Sequence, residues 1–202
     1  LHTGETADTG QVETCTVTPV AFDYSDQASW VEDNPDCGLS SQSPVDINEG
    51  SLSPGEVPGL SFSYGATPLK VVNNGHSIEF EVDEGSSITL DGRTYAVKQF
   101  HFHAPSEHTV GGEHTPMEMH IVHKDGSDLA VVGVFILEGE EDHAWFADAG
   151  WDALPSEPGE CVEDEDNSLD LAQLMGTLDG DLPSAAWYSG SLFALRRSVR
   201  RH

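Results

Sequence analysis

Between Leu69 and Leu137 the chain alternates short apolar or β-branched runs with clusters of Gly, Asn and Asp. Leu69–Val72, Ile78–Val82, Ser87–Leu90, Tyr95–His103, Met117–His123 and Leu129–Leu137 each have the length and period of a β-strand. Asp91-Gly92 predicts a tight hairpin between the third and fourth of them. Leu129–Leu137 is apolar almost throughout, as expected of a central strand covered on both faces. Helical signals are weak. Asp142 predicts a short helix to about Ala153, with Trp145, Phe146 and Ala149 on one side, and Ser168–Met175 is a second short candidate. The pattern predicts a mainly β (α+β) fold with a large, twisted, mostly antiparallel sheet and short peripheral helices. Residues 1–21, polar and Thr-rich, read as a flexible lead-in, residues 22–192 as one domain, and residues 193–202 as a separate basic tail.

Composition sharpens this picture. The 202 residues carry 36 acidic and 8 basic side chains, a formal net charge of -28. Such a surface repels itself in dilute buffer, and salt screens the repulsion. We therefore expect a halophilic or salt-exposed protein with no affinity for nucleic acid. The acidic runs at Glu138–Asp142 and Glu163–Asp166 read as solvated faces, since neither has calcium-loop spacing. No apolar run approaches the roughly 20 residues that span a bilayer, so no membrane partner is expected. The chain starts at Leu1 without a signal-peptide pattern, which reads as a processed or trimmed form of a secreted, periplasmic or extracellular protein. Three cysteines (Cys15, Cys37, Cys161) allow one disulfide and one thiol.

The chemistry lies in the histidines. Five of the ten, His101, His103, His108, His114 and His120, fall within 20 residues. On a strand His101 and His103 share one face, while Phe102 points into the opposite layer. A neighbouring strand over Met117–His123 brings Glu118 and His120 to one face, beside the first if residues 104–116 form a hairpin-like connection. Three imidazoles around one point leave a tetrahedral zinc with an open fourth position, the catalytic pattern. His108, His114 and His123 read as structural or surface histidines.

Several segments resemble the α-class carbonic anhydrases in one consistent order. These are Gln42-Ser-Pro-Val-Asp-Ile47, Asn73-Asn-Gly-His76, Gln99-Phe-His-Phe-His103, Ser106-Glu-His-Thr109, Glu118-Met-His-Ile-Val-His123, Leu129-Ala-Val-Val-Gly-Val-Phe135 and Tyr188-Ser-Gly-Ser-Leu192. The resemblance implies zinc-dependent reversible hydration of carbon dioxide to bicarbonate through a zinc-bound hydroxide. It implies His101, His103 and His120 as zinc ligands, Gln99 and Glu118 as groups orienting them, and His76 as proton shuttle. Val122, Val131 and Leu192 match the apolar pocket for carbon dioxide. The only cofactor implied is Zn2+.

The resemblance ends at Leu192. Where the family continues Thr-Thr-Pro-Pro-Cys, this chain reads Phe193-Ala-Leu-Arg-Arg197. The family's first threonine orients the hydroxide and bonds the glutamate matched by Glu107, so Phe193 removes that partner. Cys37 matches the cysteine paired with the absent Pro-Pro-Cys. Four arginines follow Leu192, against one, Arg93, before it. This shift reads as a truncated or frame-shifted C-terminus. Three further readings follow: a zinc-binding pseudoenzyme or interaction module of the same fold; a cupin, from His101-x-His103-x3-Glu107; and a homodimer closing an incomplete sheet.

Overall fold

A computed structural model describes residues 17–18, 24–40, 42–52, 59–140, 142–176, 185–188 and 191–199, the last two segments as backbone. Thirteen strands occur among these residues: β1 (Asp46–Ile47), β2 (Ser61–Ser63), β3 (Ala66–Asn73), β4 (Ile78–Glu81), β5 (Ser87–Leu90), β6 (Arg93–His103), β7 (Thr109–Val110), β8 (Glu113–His114), β9 (Met117–Asp125), β10 (Asp128–Glu138), β11 (Cys161–Asp170), β12 (Ala185–Tyr188) and β13 (Ser191–Val199). Ten form one sheet along the path β11-β3-β4-β6-β9-β10-β13-β12, with β5 on β6 and β2 on β5. Its pairs are antiparallel except β10–β13, which run parallel. β1, β7 and β8 form a separate small sheet.

The alternation in the sequence becomes two faces. On one, Phe80, Phe100, Met119, Ile121, Val132 and Val134 are buried with Trp145, Leu169 and Leu171. Phe102 joins this face and stacks edge-on with Phe80 and Trp151. The opposite face of β6 and β9 carries His101, His103, Glu118 and His120. The aromatic layer therefore fixes the strands whose other side bears the polar groups. Trp145 is fully buried, and its indole N–H donates to Asp170 O at 2.9 Å.

All six strands expected from the pattern are present: four are two to four residues longer, Ser87–Leu90 is unchanged, and the strand from Ile78 ends one residue earlier, at Glu81. The expected helix from Asp142 is shorter: α1 of the core layer spans Ala144–Asp148, and Trp151–Ala153 form a separate 3₁₀ turn. Gly150 between them has φ 66, a left-handed conformation that stops the helix. The second expected helix starts later, as α2 (Leu171–Gly176), because Ser168–Asp170 belong to β11. The acidic run Glu163–Asp166 lies inside β11, an edge strand bonded to β3 with an irregular register between Asp164 and Ser168. It is a solvated face, as expected, but a pleated one.

The lead-in over residues 1–21 lies outside the described residues, apart from Val17 and Thr18. β13 runs through the point between Leu192 and Phe193 where the sequence suggests a tail, and Gly133 aligns with Phe193. Residues 200–202 lie outside the described residues. Cys161 is disulfide-bonded, and Cys37 is an exposed free thiol.

Candidate metal centre

β6 and β9 pair in the register that sets His101 directly opposite His120 and His103 opposite Glu118. Cross-strand partners in a sheet share a face, so all four side chains project to one side. The His101–His103, His101–His120 and His103–His120 ring centroids are 4.9, 5.4 and 4.8 Å apart. One ligand-capable nitrogen from each ring lies within 4.8 Å of the other two.

The outer hydrogen bonds decide which nitrogens face inward. Gln99 Oε1 lies 2.8 Å from His101 Nδ1 and accepts its proton, which leaves Nε2 as the lone-pair atom. Glu118 Oε1 lies 2.9 Å from His120 Nε2, a close polar contact without hydrogen-bond geometry, and Nδ1 faces inward. His103 Nε2 is buried with no hydrogen-bond partner among the described residues. A buried nitrogen of that kind suits metal ligation. Burial, and then the neighbouring histidines, pushes the His101 imidazole down to about 3. Burial likewise holds His103 down at about 4. Both rings are therefore neutral at physiological pH, the state in which histidine binds metal.

A second group, His108, Glu118 and His120, also brings three donors together. It is the support of the first. Glu118 is fully buried, and its Oε2 accepts the backbone N–H groups of Glu107 at 2.9 Å and His108 at 3.0 Å. Its Oε1 faces His108 Nδ1 at 2.7 Å and His120 Nε2 at 2.9 Å. Burial pushes the carboxyl up, but the bonds from His108 and His120 outweigh it and hold it well below the usual range. With four donors around it, this carboxylate is committed as an acceptor.

The connection from Ala104 to Pro116 is shaped by its own bonds. Ser106 N donates to Thr115 O, and Ser106 Oγ donates to His108 O at 2.7 Å. Asp46 on β1 accepts Thr109 Oγ1 at 2.7 Å and Gly112 N at 2.8 Å. These ties place Glu107 over the histidines, with Oε2 3.3 Å from His103 Nε2 and 3.7 Å from His120 Nδ1. His76 lies in the turn after β3. Asn74 Oδ1 accepts its backbone N–H at 2.9 Å, and its ring is 5.7 Å from that of His103.

Of the sequence candidates, His76, Gln99, His101, His103, Glu107, Glu118 and His120 are brought together. Val122 and Val131 are partly buried cross-strand partners beside the cluster. Leu192 aligns with Val132, and its side chain lies outside the described residues. Among the remaining histidines, His108 is buried and part of the Glu118 network. His123 is also buried, held between Tyr64 Oη at 2.8 Å and Ala130 O at 3.2 Å. His114 is exposed, with Nδ1 on Ser106 O at 2.6 Å. The role of His108 was legible only in its offset from Glu118, which requires the loop to fold back.

The family model for eukaryotic-type carbonic anhydrase matches residues 25–193. The chain belongs to this family. It is 38% identical over 119 residues to a carbonic anhydrase of Neisseria gonorrhoeae, covering 58% of this chain and 46% of that protein. The chain thus spans about half the length of the curated carbonic anhydrases it matches. Among solved structures it is similar to the α-carbonic anhydrase of Photobacterium profundum, with 29% identity and a TM-score of 0.71 over 86% of this chain and 82% of the other. It is also similar to that of Thermovibrio ammonificans in complex with the inhibitor sulfanilamide, with 28% identity and a TM-score of 0.75 over 92% and 85%. The mainly β architecture is that of these carbonic anhydrases.

Proposed function

We propose that the chain is a zinc enzyme that hydrates carbon dioxide reversibly to bicarbonate and a proton, with zinc held by His101 Nε2, His103 Nε2 and His120 Nδ1. The observation that carries this reading is the convergence of three imidazoles, His101 and His103 among them held neutral by burial, in which His103 Nε2 has no hydrogen-bond partner among the described residues, within a carbonic anhydrase fold. Zinc bound there would supply the Lewis acidity that makes water a nucleophile near neutral pH.

The remaining work falls to side chains. Gln99 and Glu118 fix the tautomers of His101 and His120, so that each presents a lone pair inward. Val122 and Val131 offer apolar surface on which carbon dioxide rests without competing for polar groups. His76, on a turn fixed by Asn74, takes the released proton toward solvent. An imidazole suits that task because it gains and loses a proton near neutral pH. The partners are carbon dioxide and bicarbonate. No helix of the described residues is long and apolar enough to cross a membrane. The disulfide at Cys161 supports a compartment outside the reducing cytoplasm, and the charge of -28 supports a saline one.

The test is stopped-flow carbon dioxide hydration by the zinc-loaded chain in molar salt, beside a His101→Ala control. Zinc-dependent turnover that the control lacks is expected. Equal rates in both, with zinc bound to the unsubstituted chain, would leave the pseudoenzyme reading in place.

A further inference from the structure

The face of the sheet that carries the histidines also carries a carboxylate that the chemistry above does not use. Glu79 on β4 pairs with Val72 on β3 and with His101 on β6, while its neighbour Phe80 pairs with Phe100 in the aromatic layer. Its register therefore puts it on the metal side of the sheet. Glu79 is half-buried, and burial and the charge of Glu81 both push its carboxyl up. Lys70 engages Glu81 and Glu163, and Glu79 forms no ion pair among the described residues. Its hydrogen bond goes to Asn74, whose Nδ2 donates to Oε2 at 3.2 Å.

The same amide faces the other way onto the turn between β3 and β4. Asn74 Oδ1 accepts the backbone N–H of His76 at 2.9 Å and that of Ser77 at 2.8 Å. The two ends of an amide differ in role, one accepting and the other donating. A carboxylate only accepts, so it admits the NH2 end and leaves Oδ1 for the backbone of the turn. With the amide turned round, oxygen would face oxygen at Glu79, and NH2 would face two N–H donors. The turn is thus held from β4, and it carries a histidine whose ring is 5.7 Å from that of His103.

We infer that Glu79 is a positioning residue for proton release: its carboxylate fixes the Asn74 amide, and that amide holds the turn presenting His76 to the metal side. The inference rests on the shuttle role proposed for His76 above. Glu79 acts through Asn74 and takes no step of the reaction itself.

The test uses the whole zinc-loaded chain beside Glu79→Leu, Glu79→Gln, His76→Ala and the double variant Glu79→Leu/His76→Ala. Glutamine keeps an oxygen that accepts from Asn74, and leucine does not. Hydrogen exchange at the backbone N–H groups of His76 and Ser77 is followed by NMR. Glu79→Leu should speed both by about three- to ten-fold, the scale of one part-buried hydrogen bond, and Glu79→Gln should leave them near the unsubstituted rate. Turnover is then measured in dilute buffer. Proton release follows the conversion of carbon dioxide, so impairing it lowers kcat and spares kcat/KM. Glu79→Leu should lower kcat by about three-fold or more, added imidazole should restore it, and the substitution should have no further effect in the His76→Ala background. Unchanged exchange at both amides in Glu79→Leu would overturn the inference, whether or not the chain turns over. So would a parallel loss of kcat and kcat/KM, or an equal loss of kcat in the His76→Ala background. No zinc-dependent turnover in the unsubstituted chain would overturn the function proposed above and, with it, the role in proton release. Glu79→Ala carries the same expectations if Glu79→Leu folds poorly.

Discussion

Glu118→Gln is the substitution whose consequence the structure specifies most fully. The native carboxylate accepts two backbone N–H groups on Oε2 and faces His108 Nδ1 on Oε1, with His120 Nε2 2.9 Å from that same oxygen. A glutamine has one oxygen and one NH2 group. If the oxygen faces the backbone, the NH2 faces both imidazoles at 2.7–2.9 Å, and each must become an acceptor there. His120 would then carry its proton on Nδ1, the nitrogen needed for the metal. If the amide turns round, its NH2 points at two backbone donors. Either way one buried charged acceptor is lost and at least one buried donor is left unmatched. Removing one member of such a buried charged network costs about 3–5 kcal/mol. Part of the loss returns if the imidazoles change tautomer, so a destabilisation of about 2–4 kcal/mol in the metal-free protein is expected. Zinc affinity should fall by about 10–100-fold, the usual effect of losing an orienting partner. Chemical denaturation and chelator competition measure the two effects on the same sample. A variant with unchanged stability and unchanged zinc affinity would refute the reasoning about tautomers.

Other expectations follow from the same packing. Burial drives His123 down to about 4 from an ordinary 6.5, so the unfolded chain binds the proton more readily than the folded one. The stability this contributes is present above about pH 6.5 and is lost as pH falls toward 4, by about 3 kcal/mol in all. His123→Leu should flatten the pH dependence of denaturant midpoints across that window relative to the unsubstituted chain; parallel curves would contradict it. Trp145→Ala removes a fully buried indole and its bond to Asp170 O, and should cost about 3–5 kcal/mol in urea unfolding. Arg93 bridges Asp125 and Asp128 at the surface at 2.7 and 2.9 Å. Arg93→Ala should cost no more than about 1 kcal/mol, and less in high salt.

Much of this was legible in the sequence, for identifiable reasons. The strands β3 to β6, β9 and β10 bury one face and leave another polar or functional, so the two-residue period survives in the chain. The same period places His101, His103 and His120 on one face. β11 leaves no such period because an edge strand need not alternate; its acidic middle is held by backbone bonds to β3 rather than by burial. The helix expected from Asp142 is longer than the one present because the apolar spacing continues past Gly150, whose left-handed backbone interrupts it. The place of His108 and the reach of Glu107 over the metal site depend on a loop tied down by Asp46, 58 or more positions away in sequence. No local pattern records such a tie.

The most direct measurement is a zinc titration of the metal-free chain, with carbon dioxide hydration followed by stopped flow at each addition. Rate should rise in proportion to zinc and reach a plateau at one equivalent per chain, and the same titration of His103→Ala should stay flat. A chain that takes up one zinc and shows no rate above the variant would contradict the assignment of this centre to carbon dioxide hydration.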